Sequence, residues 1–248
     1  MITVKSAFEI ALMREACAIV RDALEIIEEH IKPGITTGEL DGIVRKFLQE
    51  RQAGASFLGY GGFPAAVCAS VNDEVIHGIP GRRVLLEGDI ISVDIGAYYK
   101  GFHGDAARTF PVVKVSDAAQ KLITVTRECF FKGAEAAKIA GARVGDIGAA
   151  VQKHAEASGF SVVRAYVGHG IGKELHEDPT VPNFGKAGHG TKLLPGMTLA
   201  VEPMVNEGVS GIYVMPDKWT VKTADAKLSA HYENTILITE DGIEILTL

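Results

Sequence analysis

Asp94 and Asp105, in the stretch VDIGAYYKGFHGDAARTF at 93–110, restrict what this chain can fold into more than any other feature. Ile90, Ile91, Val93 and Ile95 surround the first, so the sheet carrying it is at least partly buried. YYKG between them reads as a turn. In an antiparallel hairpin the two partner numbers sum to a constant, and a turn centred on Tyr99 and Lys100 sets Asp94 opposite Asp105. Their Cβ atoms would then lie about 5 Å apart, where like charges destabilise a sheet. A buried carboxylate pair must be protonated, meet a cationic side chain such as Arg108, or bind metal.

Three more groups of this kind follow. VGHGIG (167–172) sets His169 between glycines, VEPM (201–204) sets Glu202 in an apolar strand before Pro203, and AHYENTILIT (230–239) sets Glu233 at the head of a β-branched strand. Four carboxylates and a histidine in apolar or glycine-rich settings are too polar to bury without a cation. Oxygen-rich ligation with one imidazole suits Mn, Fe(II), Co or Zn better than a thiolate-dominated structural zinc site does. The charge suffices for two divalent ions. Two metals about 3.5–4 Å apart would hold a bridging water as hydroxide and polarise a neighbouring carbonyl, which is equipment for hydrolysis.

The frame around these residues reads as α+β. Ser6 and Glu9 form a capping box ahead of an amphipathic helix that runs from Ile10 through Ile27 and stops at KPG. A second helix lies in TTGELDGIVRKFLQERQAG, and PAAVCASVNDEVIHGIP and GDIISVDIGAYY have strand character. The unit recurs. A shift of 107 aligns Gly34, Gly38 and Val44 with Gly141, Gly145 and Val151, and a shift of 108 aligns GDIISVD at 88–94 with GMTLAVE at 196–202. The expectation is one domain over 1–248 with two similar halves, about 1–112 and 118–248, in which Asp94 corresponds to Glu202.

With 248 residues, 47% of them hydrophobic, the chain can bury a substantial core. No apolar run approaches the roughly 20 residues of a membrane span, and Glu9, Arg14 and Glu15 break the pattern of a signal peptide, so a cytoplasmic protein without membrane contact is expected. Cys17, Cys68 and Cys129 are too widely spaced for a disulfide framework and suit a reducing compartment. A formal charge of -6 and the lack of a Lys/Arg run exclude a nucleic-acid partner.

HGIP, VDIGA…GFHGDAARTF, GHGIGKELHEDP, VEPM and HYENTILIT, in this order and spacing, closely resemble type I methionine aminopeptidase of the pita-bread fold. The resemblance spans nearly the whole chain. It implies two pseudo-symmetric halves whose antiparallel strands form a central curved sheet backed by helices, with the metal site between them. It further implies that Asp94 chelates one metal with both oxygens, that Asp105 and Glu233 bridge two, and that His169 and Glu202 complete the other. Glu202 would exchange protons with the attacking water, His176 would hydrogen-bond the substrate carbonyl or oxyanion, and His77 would contact the scissile amide nitrogen. The implied substrate is the initiator methionine of nascent chains with a small second residue, met near the ribosome by a monomeric enzyme.

The methionine pocket carries over onto Phe57, Tyr60, Phe63, Cys68, Leu175 and Trp219, an apolar, partly aromatic set suited to a thioether. Many relatives have cysteine, tyrosine and phenylalanine where Phe57, Phe63 and Leu175 stand here. His231 stands where glutamine is common, on the side of Glu233 in a regular strand, where it would tune the bridging carboxylate. His103 shares a strand face with Asp105, whereas His30, His154 and His189 read as surface or loop residues. Two alternatives stay open. A same-fold peptidase cleaving at Xaa-Pro bonds usually carries a large additional N-terminal domain, for which there is no room before the first helix. A non-catalytic peptide-binding relative would have lost ligands, and all five positions are filled.

Overall fold

The computed structural model describes residues 2–138 and 140–248. Helix α1, Ala7–His30, begins at Ser6, whose hydroxyl accepts the Glu9 N–H at 3.3 Å while the Glu9 carboxylate accepts the Ser6 N–H at 3.0 Å. This reciprocal cap satisfies two N–H groups that a helix start leaves open. Met13, Cys17, Val20, Leu24 and Ile27 recur at helical spacing and are buried. Helix α2, Thr37–Glu50, starts with the same device at Thr36 and Glu39. Two further helices, α3 at Asp117–Ala137 and α4 at Val144–Ala157, pack on each other later in the chain.

Among the described residues every strand pairing is antiparallel, and the strands form four sheets. One carries the hairpin of Ile90–Tyr99 and Phe102–Pro111, flanked by Gly54–Ala55 and Val67–Val71. Another has five strands in the order Gly242–Ile245, Asn234–Thr239, Thr198–Val201, Gly168–Gly170, Glu177–Val181. Helices α1 and α2 and the hairpin share one apolar core around Val20, Leu40, Ile91 and Ile95. A second, around Leu122, Phe130, Ile147, Leu199 and Ile236, lies between α3, α4 and the five-stranded sheet. Gly104 lets α1 sit directly on the hairpin, since a Cβ there would stand 2.8 Å from the backbone nitrogen of Cys17.

The hairpin register differs from the sequence expectation. Asp94 pairs with Ala107 and Asp105 with Gly96, so the aspartates are diagonal neighbours on one face, not directly opposed. The turn is the cause. Lys100 and Gly101 both take positive φ, at 48° and 90°, as a two-residue turn matched to strand twist requires, and this centres the hairpin one residue later. Arg108, expected as a candidate counter-ion, does not neutralise the pair. Three residues beyond Asp105, it points to the opposite face of the strand.

Asp41 ties α2 to this sheet from a buried position. One oxygen accepts the N–H groups of Ala66 at 2.7 Å and Val67 at 3.2 Å, and the other accepts Arg45 Nε at 2.5 Å. Asp41→Ala strands two buried N–H groups and is expected to lower stability by about 3 kcal/mol. Urea unfolding would show this as a lower midpoint at unchanged slope; an unshifted midpoint would refute it.

Candidate metal centre

The five carboxylate and imidazole positions lie on, or one residue beyond, strands of two sheets that are stitched together beside them. The Glu233 N–H donates to the Ala107 carbonyl at 2.9 Å. Thr235 Oγ1 accepts the Asp105 N–H at 3.2 Å and donates to the Asp105 carbonyl at 2.9 Å. Within the five-stranded sheet His169 pairs with Ala200 and Val201 with Asn234, so one step further along this ladder Glu202 and Glu233 leave their strands at the same end.

Burial makes this cluster electrostatically unfavourable by itself. Asp105 and Glu233 are almost wholly enclosed, and Asp94 and Glu202 keep only a small exposed area. Desolvation raises Asp94 to about 7. It pushes Asp105 well above the ordinary carboxylate range, aided by the charges of Asp94 and Glu202, and lifts Glu202 and Glu233 in the same direction. Asp94 Oδ1, Asp105 Oδ1 and Glu233 Oε1 are buried without a hydrogen-bond partner. His169 is neutral, lowered to about 3 mainly by burial. Its Nδ1 lies 2.9 Å from the Gly170 carbonyl and donates to it, which leaves the Nε2 lone pair free, 3.5 Å from Glu202 Oε1. Single ligand atoms of Asp105, His169 and Glu233 lie within 4.8 Å of one another. Orphaned anionic oxygens beside an imidazole lone pair fit a divalent cation, which supplies the partner that each lacks.

A cavity of about 130 Å³ opens onto this cluster. It is lined by Asp94, Asp105, His169, Glu202 and Glu233 together with His77, His176, Phe57, Tyr60, Phe63, Cys68, Leu175 and Trp219, so the structure brings the expected ligand, catalytic and pocket residues to one place, while His231 and His103 do not line it. Phe57, Phe63, Cys68 and Leu175 belong to one apolar cluster with Trp219 packed against it, and Phe63 meets the Trp219 ring edge-on at 5.1 Å. His176 shares a 2.6 Å hydrogen bond between Nδ1 and the Tyr60 hydroxyl, and its ring lies 4.2 Å from that of His169. His77 adopts a left-handed backbone, φ 57°, beside Tyr166. Burial lowers both, His77 to about 4, so each is a neutral imidazole at pH 7.

Four other histidines stand apart from the cavity. His103 is hydrogen-bonded to Ser56 Oγ at 2.9 Å, His30 to the Ile26 carbonyl, His154 to Glu128 and His189 to the Ala187 carbonyl. All three cysteines are free and buried. Sequence reasoning missed several supports. Arg108 donates to the carbonyls of Glu233 and Thr247 and to Asn234 Oδ1, and stacks on Tyr232, so it braces the ligand strand from behind. Strand alternation could have placed it there. Lys5, paired with Glu177 at 2.6 Å beside His176, and Tyr166 carry no local signal, because their partners are remote in sequence.

Residues 11–240 match the model of metallopeptidase family M24. A methionine aminopeptidase of Clostridium acetobutylicum is 54% identical, over 100% of this chain and 99% of that protein. The crystal structure of methionine aminopeptidase from Rickettsia prowazekii superposes with a TM-score of 0.98 at 40% identity, covering all of both chains. The prolidase from Pyrococcus furiosus, at 22% identity and a TM-score of 0.77, shares the fold alone, and this chain covers 65% of it.

Proposed function

Because the chain belongs to the methionine aminopeptidases of metallopeptidase family M24, with their pita-bread fold, we propose that it removes the N-terminal methionine from peptides whose second residue is small. The observation that carries this reading is the cavity in which orphaned buried carboxylates meet two neutral imidazoles and an apolar, sulfur-compatible pocket. The whole of 1–248 acts as one catalytic domain with its repeat halves, about 1–112 and 118–248, on either side of the site.

Asp94, Asp105, His169, Glu202 and Glu233 would hold two divalent ions. Their oxygen-rich set suits Mn, Fe(II), Co or Zn. Such ions acidify a water and polarise the scissile carbonyl. Glu202 is the group that accepts the nucleophile's proton and returns it to the departing amine, since its carboxylate keeps access to the cavity. Neutral His176, held by Tyr60, donates a hydrogen bond to the carbonyl oxygen as negative charge develops, a contribution of about 3–4 kcal/mol in comparable sites. His77 faces the scissile amide nitrogen. Phe57, Tyr60, Phe63, Cys68, Leu175 and Trp219 enclose the methionine side chain and set its orientation. The substrates are nascent chains near the ribosome, and the enzyme works as a cytoplasmic monomer; three buried free thiols accord with a reducing compartment.

A peptide panel varying the first two residues, at controlled metal identity, tests the reading. Met-Ala-Ser should be cleaved, Leu-Ala-Ser at least about 10-fold less efficiently, the discrimination an apolar pocket gives for a change of shape and roughly one methylene. Met-Leu-Ser should be a poor substrate. Preferred turnover of Ala-Pro peptides would replace this assignment with Xaa-Pro cleavage.

A further inference from the structure

His231 is a buried histidine that the reaction above leaves without a task. It is 2% exposed, and its Nε2 is enclosed with no hydrogen-bond partner. That nitrogen lies 3.9 Å from Glu202 Oε2 and 3.9 Å from Glu233 Oε2. The main chain beneath it is clamped. The Thr109 hydroxyl accepts the His231 N–H at 2.9 Å and donates to the His231 carbonyl at 2.8 Å, while Ser92 Oγ stands 2.8 Å from the same hydroxyl. His231 also pairs across the sheet with Met204, two residues beyond Glu202. Ring and carboxylate are therefore carried by adjoining strands.

The electrostatics decide which proton the ring carries. A neutral imidazole has one N–H and one lone pair. With Glu202 and Glu233 ionised, a lone pair at Nε2 would face two carboxylate oxygens and be repelled, whereas an N–H there is attracted to both. Glu202 has no other donor of this kind. Its second oxygen faces His169 Nε2, whose proton is committed to Nδ1 by the Gly170 carbonyl, and no hydrogen bond to the Glu202 carboxylate forms among the described residues. Glu202 is thus flanked by two imidazoles of opposite polarity, a lone pair on one side and an N–H on the other.

We propose that His231 is a positioning residue, whose Nε2–H spans Glu202 and Glu233 and aims the Glu202 carboxylate for proton transfer. The assignment rests on the role given to Glu202 above. On closing from 3.9 Å, the N–H gains its missing acceptor and the carboxylate loses rotational freedom.

Three measurements on metal-loaded enzyme test this. Selective ¹⁵N-histidine labelling of zinc-loaded protein, with His231→Gln for the assignment, should show Nε2 of His231 protonated; an unprotonated or metal-bound Nε2 would overturn the proposal. His231→Leu, which keeps bulk and removes the donor, should lower kcat about 10–100-fold with KM and Mn(II) affinity nearly unchanged. His231→Gln, whose amide N–H occupies the position of Nε2, should restore most of the rate. Equal loss in both variants, or loss of Mn(II) binding in His231→Leu, would refute the donor role. If the leucine variant fails to fold, the ¹⁵N spectrum and the glutamine variant still decide. Wild-type kcat in His231→Leu beside an inactive Glu202→Ala would overturn this inference alone, whereas an active Glu202→Ala would remove the reading beneath it.

Discussion

Chelation should abolish release of methionine from Met-Ala-Ser, and Mn(II), Co(II) or Fe(II) should restore it. The expectation follows from Asp94, Asp105 and Glu233, each of which presents a buried oxygen with no partner. Full activity in rigorously metal-free enzyme would refute it. Stripping the metal should also leave a distinctive pH dependence of stability. Burial raises the folded-state pKa of Asp94 from 3.8 to about 7, and Asp105, Glu202 and Glu233 move the same way. Between these values the four carboxyls bind more protons in the folded chain than in the unfolded one, so their contribution to stability falls as pH rises. Neutral His77 and His169, lowered to about 4 and about 3, pull the other way below pH 6.5, so the carboxyl contribution is read as a difference: from about pH 4 to pH 7 the melting temperature of metal-free wild type should fall progressively relative to metal-free Asp94→Asn. Saturating metal should offset that decline and release protons on binding. A wild-type melting temperature that gains on Asp94→Asn through this window would contradict the buried-carboxylate account.

Glu202→Ala is expected to remove turnover without unfolding the protein. General acid–base groups contribute about 10²–10⁴-fold to rate, and Glu202 is also among the residues proposed to hold metal, so the loss in kcat should reach the upper end of that range. Folding should survive because the substitution removes a charge from a cluster whose desolvation and repulsion from Asp94 hold Glu202 well above its ordinary pKa. The metal-free variant should therefore melt no lower than metal-free wild type at pH 7, and circular dichroism should be unchanged. An unchanged kcat would remove Glu202 from proton transfer.

The legible parts of the site were those whose burden is local. Asp94 among isoleucines and valines, Glu202 before Pro203 and Glu233 at the head of a β-branched strand each announce a carboxylate in an apolar setting. The caps Ser6–Glu9 and Thr36–Glu39 mark helix starts from spacing alone, and both form in the structure. The hairpin register was misread because the turn centre depends on which residues take positive φ. Tyr99 and Lys100 looked symmetric, but Gly101 accepts the left-handed conformation at no steric penalty and draws the turn to itself.

By itself the sequence set four carboxylates and an imidazole in apolar or glycine-rich surroundings, where burial demands a proton, a counter-charge or a metal ion, and the order of its motifs identified the family. Only the tertiary structure decided how they meet. It set Asp94 diagonal to Asp105, turned Arg108 to the back of the Glu233 strand, held His176 against Tyr60, and left His231 Nε2 between Glu202 and Glu233. Residue type and burial fix what a group requires, a property of its own solvation. Which neighbour meets that requirement depends on strand pairing and sheet contact between segments more than a hundred residues apart, such as Asp105 with Thr235, and no local pattern records it.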